Sequence, residues 1–115
     1  MVREIKRGDI DYADLGIGVG SEQNGIRPVL VVSNDVGNRF SQTAVVIPIT
    51  ARKGKPPMPT HIRIDAPEIL YRESVILAEQ IRTIDRKRLG RYLGTLDNSL
   101  MNEADRAIKI SLGVE

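Results

Sequence analysis

Apolar residues in this chain come in short, β-branched runs broken by Gly, Pro and Asn, and only the C-terminus changes period. That pattern confines it to a small, mostly β fold finished by one helix. Strands are expected over 8–15, 28–33, 43–50, 60–64, 74–80 and 91–95. In the first, Ile10 and Tyr12 share one face while Asp9 and Asp11 share the other. The stretch 34–41 carries Gly37 and Asn38 and reads as a turn-rich crossover. A short helical turn follows Asp85. Leu100, Met101, Ala104, Ala107, Ile108, Ser111 and Leu112 then recur at three- and four-residue steps, an amphipathic helix with Asp97 as N-cap and Gly113 as stop. Many short strands with one terminal helix suit a small, partly open barrel. The linker-like stretch 51–59, with Lys53, Gly54, Lys55, Pro56 and Pro57, reads as a mobile loop, because neither side could fold alone. The whole of 1–115 is therefore expected to be a single domain.

One junction carries chemistry. Gly20-Ser21-Glu22-Gln23-Asn24-Gly25 is a polar loop whose glycines permit sharp turns, and it runs into the apolar strand Val29-Leu30-Val31-Val32. Pro28 disfavours the helical region for Arg27, so this guanidinium leaves an extended backbone at the strand mouth. A rigid strand presenting a fork-shaped cation beside a turning loop suits an anion.

Composition excludes several classes. No apolar run is long enough for a membrane-spanning helix, the basic N-terminus lacks the apolar core of a signal peptide, and there is no cysteine. These features point to the cytoplasm and to no membrane partner. Net charge is only +2, but 12 of the 17 basic residues are arginine, whose planar fork matches phosphate. The aromatics are Tyr12, Phe40, Tyr71 and Tyr92, too few for a sheet-borne stacking platform of the RRM or OB kind.

The ordered motifs make the chain recognisable. Lys6-Arg7-Gly8-Asp9, Ser21-Glu22-Gln23, Arg27-Pro28-Val29-Leu30-Val31-Val32 and Asn34-Asp35-Val36-Gly37-Asn38-Arg39-Phe40 are followed by Ile49-Thr50, Pro59-Thr60-His61 and Ser74-Val75-Ile76-Leu77. Glu79-Gln80-Ile81-Arg82-Thr83-Ile84-Asp85 and Ile108-Lys109-Ile110-Ser111-Leu112 complete the series. In this order they resemble the MazF/PemK family of toxin ribonucleases, particularly the MazF-like members of Gram-positive bacteria. The resemblance implies a mainly β fold with α: an SH3-like barrel of the CcdB/MazF type with a C-terminal helix, working as a homodimer. It also implies a sequence-specific endoribonuclease acting on single-stranded RNA and leaving a 2′,3′-cyclic phosphate and a 5′-hydroxyl. The partner it implies is a MazE-like antitoxin whose disordered acidic tail folds into the RNA groove.

Cleavage of RNA by its own 2′-hydroxyl requires a proton acceptor, a donor for the leaving oxygen and stabilisation of the phosphorane. A two-histidine solution is closed to this chain, since His61 is its only histidine and reads as structural. Asp9, Asp11 and Asp14 could gather a weak Mg²⁺ site but read better as solvated strand-edge charges, so neither metal nor cofactor is expected. Arg27 and Thr50 match the family's catalytic pair, the guanidinium neutralising charge on the phosphate and the hydroxyl donating to a non-bridging oxygen. Ser21, Glu22 and Gln23, with Gln80 and Arg82, match positions lining the RNA groove, where the amides would read base edges. Glu22 could instead take the 2′ proton; base reading is favoured. Two departures from the family stand out. Pro48 should mark a sheet edge or bulge just before Thr50, and the loop of Lys53 to Met58, bordering the RNA channel, has its own composition. The alternatives are a CcdB-like gyrase inhibitor, which needs a C-terminal tryptophan that this chain lacks, and a proline-binding SH3 adaptor, which needs an aromatic groove.

Overall fold

The computed structural model describes residues 4–51 and 58–115. Its strands are β1 (Asp9–Asp14), β2 (Ile26–Val31), β3 (Thr43–Ala51), β4 (His61–Ile64), β5 (Ser74–Leu77), β6 (Arg82–Asp85) and β7 (Leu89–Thr95). Two helices join them, α1 (Asp35–Phe40) and α2 (Asn98–Leu112). All pairings are antiparallel, in the order β4-β5-β3-β2-β1-β7, with β6 also on β3. The strands β7-β1-β2-β3-β6 curl towards a ring that does not close. A 3-10 turn, Arg86–Arg88, spans the gap between β6 and β7 instead of a ladder.

The curl gives the central strands two buried faces. Val29, Val31, Ala44, Val46 and Ile84 pack with Ile5, Ala13 and Leu15 on the inside. Ile10, Leu30, Ile47, Ile49 and Ile76 pack on the outside, under Met101, Ala104 and Ala107 of α2. A strand covered on both sides reads as an unbroken apolar run, as Val29-Leu30-Val31-Val32 does. Covering also corrects the reading of β1. Asp9 and Asp11 are buried, not solvated, because β2 and β7 flank their strand and its inner face is closed. Asp9 accepts from the Lys6 N–H at 3.0 Å and from the Thr95 hydroxyl at 3.3 Å.

Three local expectations change. The crossover after β2 is a helix, because Asn34 Oδ1 caps the Gly37 N–H at 2.8 Å and the buried Asn38 amide is held by Ser33 and Asp35. The Arg7 backbone N–H, 2.7 Å from Asp35 Oδ1, holds that carboxyl below its ordinary range and ties the helix to the N-terminal segment. The strand expected over 74–80 stops at Leu77 and turns through a 3-10 segment, Ala78–Gln80. Pro48 lies neither at an edge nor in a bulge but inside β3, fully buried. There β3 passes from pairing β6 at Val46 to pairing β5 at Ile49, so a missing N–H breaks no ladder on that side. The distinctive loop of Lys53 to Met58 lies outside the described residues apart from Met58.

The last helix forms as its pattern predicts. Asp97 accepts from the Leu100 N–H at 2.9 Å, and Gly113 ends the helix in the left-handed conformation, φ 69°. Asp97→Ala should lower unfolding free energy by about 1 kcal/mol, read as a shifted urea midpoint with unchanged slope.

Candidate active site

Register brings the two strand ends together. Val29 lies opposite Pro48 and Val31 opposite Val46, so carrying the pairing outward sets Arg27 opposite Thr50. Both follow the inward-facing residues of their strands at two-residue spacing, and so leave the same face. The side chains meet: Arg27 Nη1 is 3.5 Å from Thr50 Oγ1, a long contact that a phosphate oxygen between them would replace. Arg27 Nε donates to the Asn24 carbonyl at 2.7 Å, which fixes the direction of the fork. The loop makes this possible through Gly20 and Gly25, at φ 58° and 71°, where a side chain would be strained.

Around the pair opens a cleft of about 470 Å³, walled by Tyr12, Ile69, Leu70, Leu93 and the segment leading into β5. Gly94 lets Ile69 lie against β7, since a Cβ there would come within 2.7 Å of Ile69 Cγ1. Among the described residues no Asp or Glu lines this cleft, and two arginines do, Arg27 and Arg72. That composition suits an anion.

Four of the other candidate residues, Ser21, Glu22, Gln80 and Arg82, line a second groove of about 600 Å³, while Gln23 lines a neighbouring hollow with Met58, His61 and Gln80. Residues of the loop 16–25 line both openings, and the 3-10 segment Ala78–Gln80 fastens the loop. Gln80 Nε2 donates to the Ser21 carbonyl at 2.9 Å, while Gln80 Oε1 accepts from the Gln23 N–H at 3.3 Å. Arg82 Nη1 reaches the Leu15 carbonyl at 3.5 Å. The Gln80 amide expected to read bases is thus engaged in holding the loop. Glu22 folds back, its Oε1 accepting from the Val19 N–H at 2.7 Å, and does not line the Arg27–Thr50 cleft. Gln23 Oε1 is buried, with no hydrogen-bond partner among the described residues.

Behind Gln80 sits a carboxylate clamp. Glu79 accepts from Thr60 Oγ1 at 2.8 Å and meets His61 Nε2 at 2.8 Å. Burial pushes the Glu79 carboxyl upward, but its hydrogen bonds with His61, its own N–H and Thr60, together with the charge of His61, outweigh burial and leave it lowered. The histidine side chain is only 9% exposed and is held by this contact, in keeping with a structural role. No group of three or more His, Asp or Glu able to hold a metal ion occurs among the described residues.

A family model described as PemK-like, MazF-like toxin of type II toxin-antitoxin system matches residues 6–112. The chain belongs to this toxin family. It is 54% identical over 111 residues to endoribonuclease EndoA of Bacillus subtilis (strain 168), covering 96% of each protein. A mycobacterial endoribonuclease solved in complex with its cognate antitoxin is 28% identical, with a TM-score of 0.81 over 96% of this chain and 97% of that one. Deinococcus radiodurans MazF, at 24% identity, shares the fold with a TM-score of 0.85 over 98% of this chain and 100% of that one. The mainly antiparallel sheet with a C-terminal helix is therefore a MazF-type fold, and the match favours the MazF side over the CcdB-like alternative. Sequence reasoning missed the far wall of the cleft. Tyr71-Arg72 falls between strands, outside every quoted motif, and only the fold brings it near Arg27.

Two outcomes follow. Gln80→Ala should speed amide exchange at Gln23 while β3 stays protected, measured by hydrogen–deuterium exchange. For Glu79, a lowered folded pKa means that its stabilisation is full above the ordinary glutamate value of 4.5 and is lost as pH falls through the lower folded value. Glu79→Gln should therefore melt below the native protein at neutral pH, and the gap in urea midpoints should close in acid.

Proposed function

We propose that the chain is the toxin of a type II toxin–antitoxin pair and cuts single-stranded RNA endonucleolytically in the cytoplasm, as a homodimer that a MazE-like antitoxin blocks. The observation that carries the reading is the Arg27–Thr50 contact in a cleft with two guanidiniums and no acid. The 2′-hydroxyl gives up its proton as its oxygen bonds to phosphorus, and the P–O5′ bond breaks as the 5′-oxygen takes up a proton, giving a 2′,3′-cyclic phosphate and a 5′-hydroxyl. Charge builds on the non-bridging oxygens as the phosphorane forms. Arg27, aimed by Asn24, neutralises it, and the Thr50 hydroxyl donates to the same oxygens. A preorganised donor of this type contributes about 10²–10³ in rate. None of these steps needs a metal ion.

Sequence choice belongs to the second groove. Ser21 and Gln23 lie on the loop that Gln80 holds, and Ser21, which carries a hydroxyl, lines the groove. Glu22 holds the Val19 N–H through Oε1, and its other oxygen, which has no bond to a described residue, suits an exocyclic amine. With Arg82, which lines the same groove, these residues read bases or set the loop that reads them.

The test is cleavage of mixed RNA in EDTA with mapped fragment ends. The native protein should cut at one recurring short motif and leave 5′-hydroxyl ends. Arg27→Ala should lose about 10²-fold or more in rate while keeping its thermal midpoint. Full activity in that variant, or cutting only when a divalent ion is restored, would overturn the mechanism.

A further inference from the structure

The wall of the cleft facing Arg27 carries two side chains with no role in the pair. Tyr71 is 95% exposed, the ring of a large aromatic held almost wholly in water. Its neighbour Arg72 lines the same cleft, and its guanidinium has no hydrogen bond or ion pair with any described residue. Their backbone is set, however. The Ser74 hydroxyl donates to the Arg72 carbonyl at 2.8 Å, and Ser74 starts β5 opposite Ala51, one residue past Thr50. β2 begins, β3 ends and β5 begins at one end of the sheet, so the segment 71–72 overhangs the strand mouth that presents Arg27 and Thr50.

A free guanidinium on a fixed backbone, in a cleft without carboxylates, has phosphate as its natural ligand. An exposed ring beside it offers a π-face to a base, and base–aromatic stacking tolerates any base. We propose that Tyr71 and Arg72 together hold one nucleotide adjacent to the scissile phosphate, Arg72 through that nucleotide's phosphate and Tyr71 by stacking on its base. The pair then positions the strand in the cleft without choosing its sequence, which stays with the loop groove. This inference rests on the ribonuclease reading of the same cleft.

The experiment measures binding of a short single-stranded RNA containing the mapped cut motif, with 2′-deoxyribose at the cut nucleotide so that it binds uncut. Arg72→Ala should weaken binding about tenfold and make the log–log salt dependence shallower by about 0.7, the slope of one phosphate contact on a single strand. Tyr71→Ala should weaken binding about tenfold and Tyr71→Phe should not. Arg63→Ala, at an exposed residue of β4 outside the cleft, reports the effect of charge alone. On the native protein, a neutral methylphosphonate at one phosphate flanking the cut should reproduce the Arg72→Ala loss and add nothing to that variant. An abasic nucleotide should do the same for Tyr71→Ala. These RNA changes decide the matter even if a protein variant folds poorly. Unchanged binding in either variant, an Arg72 effect no larger than that of Arg63, or additive losses with the modified RNA overturn the proposal while native cleavage stands. A native protein that neither binds nor cuts RNA overturns the ribonuclease reading and this inference with it.

Discussion

The pairing of β2 with β3 is the constraint on which the rest depends. Because Val29 lies opposite Pro48, Arg27 and Thr50 arrive opposite one another, on one face, at the open end of the sheet. A one-residue slip of β2 on β3 would turn Arg27 away from Thr50 and exchange Val29 and Val31 for Leu30 and Val32 between two differently shaped buried faces. Register here is therefore fixed by the hydrophobic core, and the site inherits that precision without a contact of its own. Pro48 contributes to the geometry. It occupies the point where β3 exchanges one partner strand for another, and a residue without an N–H leaves no donor stranded there.

The loop between β1 and β2 works differently, since it has little apolar surface and Ile17 and Val19 lie exposed. Its shape comes from polar ties. Leu15 and Gly25 close its base, backbone N–H to carbonyl at 2.9 Å, Glu22 folds onto Val19, and Gln80 holds Ser21 and Gln23. Each such bond contributes about 1 kcal/mol net, so binding RNA or an antitoxin could remodel the loop at modest cost. The proposed catalytic pair on paired strands, beside a loop held by single polar bonds, suits an enzyme that must cut at chosen places.

The strands and the last helix were legible because their signals are local: β-branched runs for β2 and β3, and three- and four-residue spacing with Asp97 and Gly113 for α2. Arg27 and Thr50 could be named from motifs, but their convergence is a matter of register, which no local pattern displays. Burial of Asp9 and Asp11 was misread because alternation of apolar and polar residues implies one wet face, and in this sheet β1 has none at those positions. The helix at Asp35–Phe40 was hidden by Gly37 and Asn38, turn-formers by propensity, which capping by Asn34 and three bonds at Asn38 convert into a helical turn. Gln80 looked like a base reader because an amide on a strand edge shows its chemistry but not its partner. Tyr71 and Arg72 had no local signal at all.

The central claim is that Arg27 and Thr50 act on the same phosphate as one unit. A double-mutant cycle on single-turnover cleavage, with Arg27→Ala, Thr50→Val and the pair, tests it directly. Residues acting as a unit give a double variant little slower than the worse single one. Losses that simply multiply would mean that the two side chains serve separate steps, and the account of the cleft as a shared oxyanion site would be wrong.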